Sequence, residues 1–207
     1  ASSETVESGQ SLTVGTTYKY AKINENNLQD IFVFDIATSF RDEINRNMPN
    51  SSTLGNKSSD IVGSINISPN KFFETSYNFS LDNSLDILKY NYLSTEFNVN
   101  NFVTTFKFLE ENEPIGTAHY LENETSYNFN ETSSIAFLTR RNKEINLTEY
   151  YDLIYQYKND CLTAKLQYRK DFYVDADIKP TEQLFFSITI VPLGEYNTEN
   201  LIPENMR

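Results

Sequence analysis

Apolar and polar residues alternate with a period of two along most of this chain, and helical spacing is nearly absent. Leu12, Val14, Thr16, Tyr18 and Tyr20 share one side of a first segment, and Phe32, Phe34, Ile36, Thr38 and Phe40 one side of a second. The pattern recurs through Ile61, Ile65 and Ile67, through Phe73, Tyr77, Phe79 and Leu81, and through Leu93, Phe97 and Val99. It continues with Phe102, Phe106 and Phe108, with Leu121, Thr125, Tyr127 and Phe129, and with Ile135 and Phe137. Tyr151, Leu153, Tyr155 and Tyr157 mark a ninth segment, Leu162, Ala164, Leu166, Tyr168 and Phe172 a tenth, and Leu184, Phe186, Ile188 and Ile190 the last. Successive strand side chains point to opposite faces, so this spacing predicts an all-β chain whose ribbons are apolar on one face.

The alternate positions are polar. Thr163, Lys165, Gln167, Arg169 and Asp171 interleave the tenth segment. In a soluble sandwich the apolar face meets a second sheet. In a membrane barrel it meets lipid, and the polar face lines a wet interior. Alternation alone is equal for both, so the connections carry weight. Tight, Asn-rich turns are expected at residues 68–71, 98–101, 128–132 and 158–160, because Asn tolerates left-handed turn geometry. Between them lie longer polar links at residues 42–59, 110–117, 140–149 and 174–183, with a shorter one at 82–86. Short turns on one side and longer loops on the other are the rhythm of an outer-membrane barrel. Residues 21–30 break it, being a long link on the short-turn side. The expectation is an antiparallel up-and-down transmembrane β-barrel, in part: about eleven strands of roughly ten residues within 1–192, then a polar, disordered tail at 193–207.

The formal net charge of −12 argues against nucleic acid as a partner, since that needs a basic surface. No apolar run is long enough for a membrane helix. The first ten residues lack the basic and apolar regions of a signal peptide.

Reactive chemistry is sparse. One His (His119) and one Cys (Cys161) cannot build a usual zinc ligand set or argue for a Ser-His-Asp triad. Phosphate and dinucleotide loops are missing, and no cofactor is expected. Asp175, Asp177 and Glu182 cluster in the last long link and are weak metal candidates, lacking the Gly and bidentate Glu of a helix-loop calcium site. Asn-X-Ser/Thr triplets at Asn50, Asn56, Asn66, Asn78, Asn123, Asn130 and Asn146 follow from an Asn-rich composition, and many fall mid-strand. No residue set supports an enzyme.

Residues 150–194 are more specific. Tyr157, Asp160 and Cys161 end a strand as Tyr-x-x-Asp-Cys; Tyr168, Arg169 and Lys170 follow, then Lys179-Pro180 and a final strand LFFSITIVPLG. This run resembles the C-terminal end of the LptD (organic solvent tolerance) family of lipopolysaccharide-assembly barrels. NFVTTFKFLEENEPIG, NETSYNF and NLTEYYDLIY are similar to it more loosely, as is residues 41–69. The resemblance implies a plugged barrel of about 26 strands that carries an N-terminal periplasmic jellyroll, is filled by an LptE-like lipoprotein and is fed lipopolysaccharide by an LptA-like periplasmic bridge. It implies release of lipid into the outer leaflet of the outer membrane through a lateral gate. Leu184, Phe186, Ile188 and Ile190 would form one side of that gate and the signal read by barrel-assembly machinery, and Pro192 would end the pairing. Family members carry cysteines near this strand end that bond to the N-terminal part. This chain has Asp160–Cys161 where two adjacent cysteines are common, so at most one such disulfide is implied, at Cys161. Two other readings stand beside it: another outer-membrane barrel, such as a porin or nutrient channel, and a secreted glycan-binding β-sandwich.

Overall fold

A computed structural model describes residues 9–24, 27–49, 52–173, 179–190 and 194–197. The strands are β1 (Ser11–Asn24), β2 (Asn27–Arg41), β3 (Ile61–Asn70), β4 (Phe73–Leu81), β5 (Leu88–Val99), β6 (Phe102–Glu111), β7 (His119–Asn128), β8 (Ser133–Asn142), β9 (Leu147–Lys158), β10 (Leu162–Asp171), β11 (Thr181–Ile190) and β12 (Gly194–Asn197). Strand order is chain order, in an antiparallel up-and-down arrangement. Among the described residues the only helical element is a 3-10 turn at Thr53–Gly55.

The chain divides into two compact units, residues 1–96 with 107–119 and residues 97–106 with 120–207. In the first, the register aligns the apolar positions across strands: Tyr18 with Phe34, Phe34 with Ile65, and Ile65 with Tyr77. Gly63 faces Phe79, and a Cβ at Gly63 would overlap the Phe79 ring, so the glycine lets that ring lie across β3. In the second unit Phe137 pairs with Leu153, Leu153 with Tyr168, and Tyr168 with Leu184. A one-residue slip in any pair would move its apolar set to the other face, so the shared pattern fixes the register.

Asparagines build the tight turns, as their frequency suggests. Asn70 Oδ1 accepts from the Phe72 amide at 2.8 Å, Asn130 Oδ1 from Thr132 and Ser133 at 2.9 and 2.8 Å, and Asn159 Oδ1 from Cys161 and Leu162 at 3.0 and 2.8 Å. Asn100 takes a left-handed φ of 54°.

Three expectations need correction. Residues 21–30 are not a long link: β1 and β2 extend to Asn24 and Asn27, with a register shift at Tyr20/Ala21 and Ile23 paired with Leu28. Only residues 25–26 join them, so the exception to the turn rhythm disappears. The link at 140–149 shrinks to residues 143–146, because Asn142 Oδ1 accepts from the Glu144 and Ile145 amides and Asn146 adopts φ 54°. Within the tail expected to be disordered, Gly194–Asn197 forms a strand that pairs with Ser187–Ile190, and residues 193 and 198–207 lie outside the described residues. Edge pairing uses backbone groups alone, so it leaves no trace in the side-chain pattern.

Candidate functional site

The strands present two faces of opposite character. In the second unit, the row Phe137, Leu153, Tyr168 and Leu184 crosses four strands with exposures of 37%, 43%, 39% and 67%. The next row is Ile135, Tyr155, Leu166 and Phe186. In the first unit Leu12, Val14, Tyr18 and Tyr20 are more than half exposed. No second sheet covers these residues among those described. Leu109 is the only buried hydrophobic side chain there, while Ser39, Arg41, Asn45, Ser59, Asp60, Ser80 and Asp152 are buried. The burial is inverted relative to a water-soluble domain, which places its Phe, Ile and Leu inside.

Polar groups on the apolar face bond to one another. The Thr75 and Thr95 hydroxyls lie 2.7 Å apart, as do those of Thr104 and Thr125. Asn123 Nδ2 donates to Thr104 Oγ1 at 3.1 Å and to the Thr105 carbonyl at 3.2 Å. At the long-loop end of this face, one register step beyond Tyr168 and Leu184, Lys170 Nζ donates to Glu182 Oε1 at 2.7 Å.

The polar face carries the buried structure. In the first unit the loop at 42–60 folds over it. Arg41 Nε donates to the Leu54 carbonyl at 2.6 Å, the Ser39 amide to Ser59 Oγ at 2.8 Å, and the Arg41 amide to the Lys57 carbonyl at 2.8 Å. A cavity of 360 Å³ remains between loop and sheet, lined by Ala37, Leu54, Val62, Tyr90 and Ile115 with several hydroxyls.

In the second unit four side chains from β7–β10 stack in sequence. Arg140 lies 5.5 Å from the Tyr120 ring centroid and 5.4 Å from that of Tyr150, and Arg169 lies 4.5 Å from that of Tyr150. Arg140 Nε also pairs with Glu149, and Arg169 Nε donates to Asp171 Oδ1 at 2.9 Å. Asp152, with 5% of its side chain exposed, accepts from Gln167 Nε2 at 2.7 Å and has Arg169 at 3.8 Å. Its Oδ1 is buried without a hydrogen-bond partner. The alternation marks each of these residues as polar-face, but only the register reveals the stack.

Of the residues singled out from sequence, Cys161 is exposed at the β9–β10 turn, with no disulfide. Leu184, Phe186, Ile188 and Ile190 share the apolar face of β11, opposite Tyr168, Leu166, Ala164 and Leu162. β12 covers only Ser187–Ile190 of that strand. Pro192, Asp175 and Asp177 lie outside the described residues. Glu182 belongs to β11, not to the loop, and its carboxylate is engaged by Lys170. His119 opens β7 and packs edge-on against Phe108 at 5.7 Å. No protein-family model matches the sequence, and no curated protein matches it.

Proposed function

We propose that this chain is part of an outer-membrane β-barrel whose apolar face meets lipid and whose polar face lines a passage, and that the passage serves lipopolysaccharide assembly. The inverted burial carries the membrane reading. Exposing rows of Phe, Tyr, Ile and Leu to water forfeits about 25 cal/mol per Å² of apolar surface, whereas acyl chains wet them at no such cost. Strands β1–β11, of 9–15 residues, match the length needed to cross a bilayer.

The lipopolysaccharide reading rests on the likeness of residues 150–194 to the LptD family and on two features consistent with it. Cys161 sits at a tight turn, the side that faces the periplasm in such barrels. Among the described residues the last long strand has only a four-residue neighbour, β12, which suits a seam that opens sideways. Lipopolysaccharide, an LptE-like plug, an LptA-like bridge and barrel-assembly machinery are the corresponding partners. The protein would be a conduit with no bond-making chemistry.

Photo-crosslinking amino acids at Gln156 and Ser134, on the polar face, and at Phe137, on the apolar face, test this in intact cells. Capture of lipopolysaccharide from the polar-face positions is expected. Capture from Phe137 alone would mean that the lipid is only a bilayer neighbour. The inward loop and its cavity favour a second reading, a solute channel, for which the same experiment returns solute flux without lipid capture.

A further inference from the structure

At the long-loop end of the second unit, the guanidinium–tyrosine stack opens onto a cavity of 340 Å³. Its polar lining is Arg140, Arg169, Glu149 and Asp171; Tyr150, Phe172 and Tyr173 supply rings, with Ile145 and Leu147 beside them. From this lining we infer that the cavity is a binding site for an uncharged sugar ring. The volume lies within the range of small-ligand sites, which begins at about 300 Å³.

Charge selects the class of ligand. Two guanidiniums and two carboxylates line the cavity and cancel, each Arg already paired with its own acid. Asp152 stands behind Arg169, adding negative charge. A phosphate or carboxylate ligand would have to displace these pairs and approach the acids, so an anion is disfavoured. A pyranose needs the opposite provision. Its hydroxyls both donate and accept, and planar charged groups held in fixed pairs offer both, since a carboxylate has about four acceptor sites and a guanidinium five donors. Its C–H face needs an apolar platform. Arg140 and Arg169 both already lie against the Tyr150 ring, and Tyr151 and Lys170 lie against Phe172. Tyr173 is 44% exposed, with its hydroxyl 3.2 Å from Thr181 Oγ1, and its ring supplies the platform.

This inference rests on the polar face being the wetted one, but not on lipid export. Its test uses the whole protein in a zwitterionic, sugar-free detergent, with glucose as the probe and saturation transfer to the sugar ring protons as the readout. Glucose is expected to bind, and Tyr173→Phe to bind as the parent does. Tyr173→Ala and Asp171→Asn should each weaken binding about tenfold, the worth of one platform or one charge-assisted hydrogen bond. Unaltered binding in Tyr173→Ala, no glucose signal from the parent protein, or displacement of glucose by equimolar inorganic phosphate would each overturn the assignment. Sugar binding without lipopolysaccharide capture at Gln156 and Ser134 would keep this site and remove the export reading.

Discussion

Lys89 Nζ donates to both carboxylate oxygens of Asp60, at 2.8 and 3.0 Å, with only 14% and 8% of the two side chains exposed. The pair ties the end of the loop at 42–60 to the start of β5. The Asp60 amide donates to Thr53 Oγ1 at 2.9 Å, so the bonded unit includes the 3-10 turn.

Breaking such a pair leaves one buried charge uncompensated. Lys89→Ala is expected to destabilise the protein by about 3 kcal/mol, whereas the double variant Asp60→Leu, Lys89→Met should recover most of that loss. Urea unfolding in lipid vesicles measures both. Equal costs for the single and double variants would show that the loop is not held by this ion pair.

The two faces of a strand should differ in their tolerance of charge. Leu153→Arg and Phe186→Arg place a guanidinium mid-strand on the apolar face and should each cost about 2–4 kcal/mol in a bilayer. Gln156→Arg and Ser187→Arg, on the polar face, should cost little. Folding yield into vesicles reads the contrast, and equal yields for the two sets would contradict the lipid-facing assignment.

Gly63 and Phe79 form a cross-strand pair that depends on a missing side chain. Gly63→Ala forces the Phe79 ring away and is expected to cost about 1–3 kcal/mol. Combining it with Phe79→Ala should make the glycine replacement nearly free. Thermal unfolding of the four forms supplies the cycle.

Cys161 is the only thiol, and it reports sidedness. A membrane-impermeant maleimide should leave it unlabelled in intact cells and label it once the outer membrane is opened, after reduction if it is disulfide-bonded. Labelling in intact cells would put the tight turns outside.

Asp82 gives the loop at 82–87 a pH dependence. Desolvation, the largest single influence, pushes its carboxyl up. Hydrogen bonds from the Ser84 hydroxyl and the Asp86 and Ile87 amides, with the charge of Lys89, outweigh it and hold the group below its ordinary value of 3.8. A depressed carboxylate stabilises the folded loop above the unfolded-state value, and that contribution is lost as pH falls through the folded one. Hydrogen exchange at the Asp86 amide should therefore be protected at neutral pH and lose protection only as pH falls below the ordinary carboxylate range. In Asp82→Ala it should be unprotected throughout.

The sequence by itself determined the strands and which side of each is apolar, because side-chain direction in a strand depends only on parity along the chain. Val14, Phe34, Leu153 and Phe186 needed no distant information to be placed on their face. The Asn-built turns were legible for the same local reason. Tertiary structure decided what depends on residues far apart in sequence meeting across a register. Asp60 finds Lys89 across 29 positions. Tyr120, Arg140, Tyr150 and Arg169 form a stack only because four strands align. The extension of β1 and β2 to Asn24 and Asn27 and the pairing of β12 arise from backbone hydrogen bonds, which any residue but proline can make and which composition therefore does not announce.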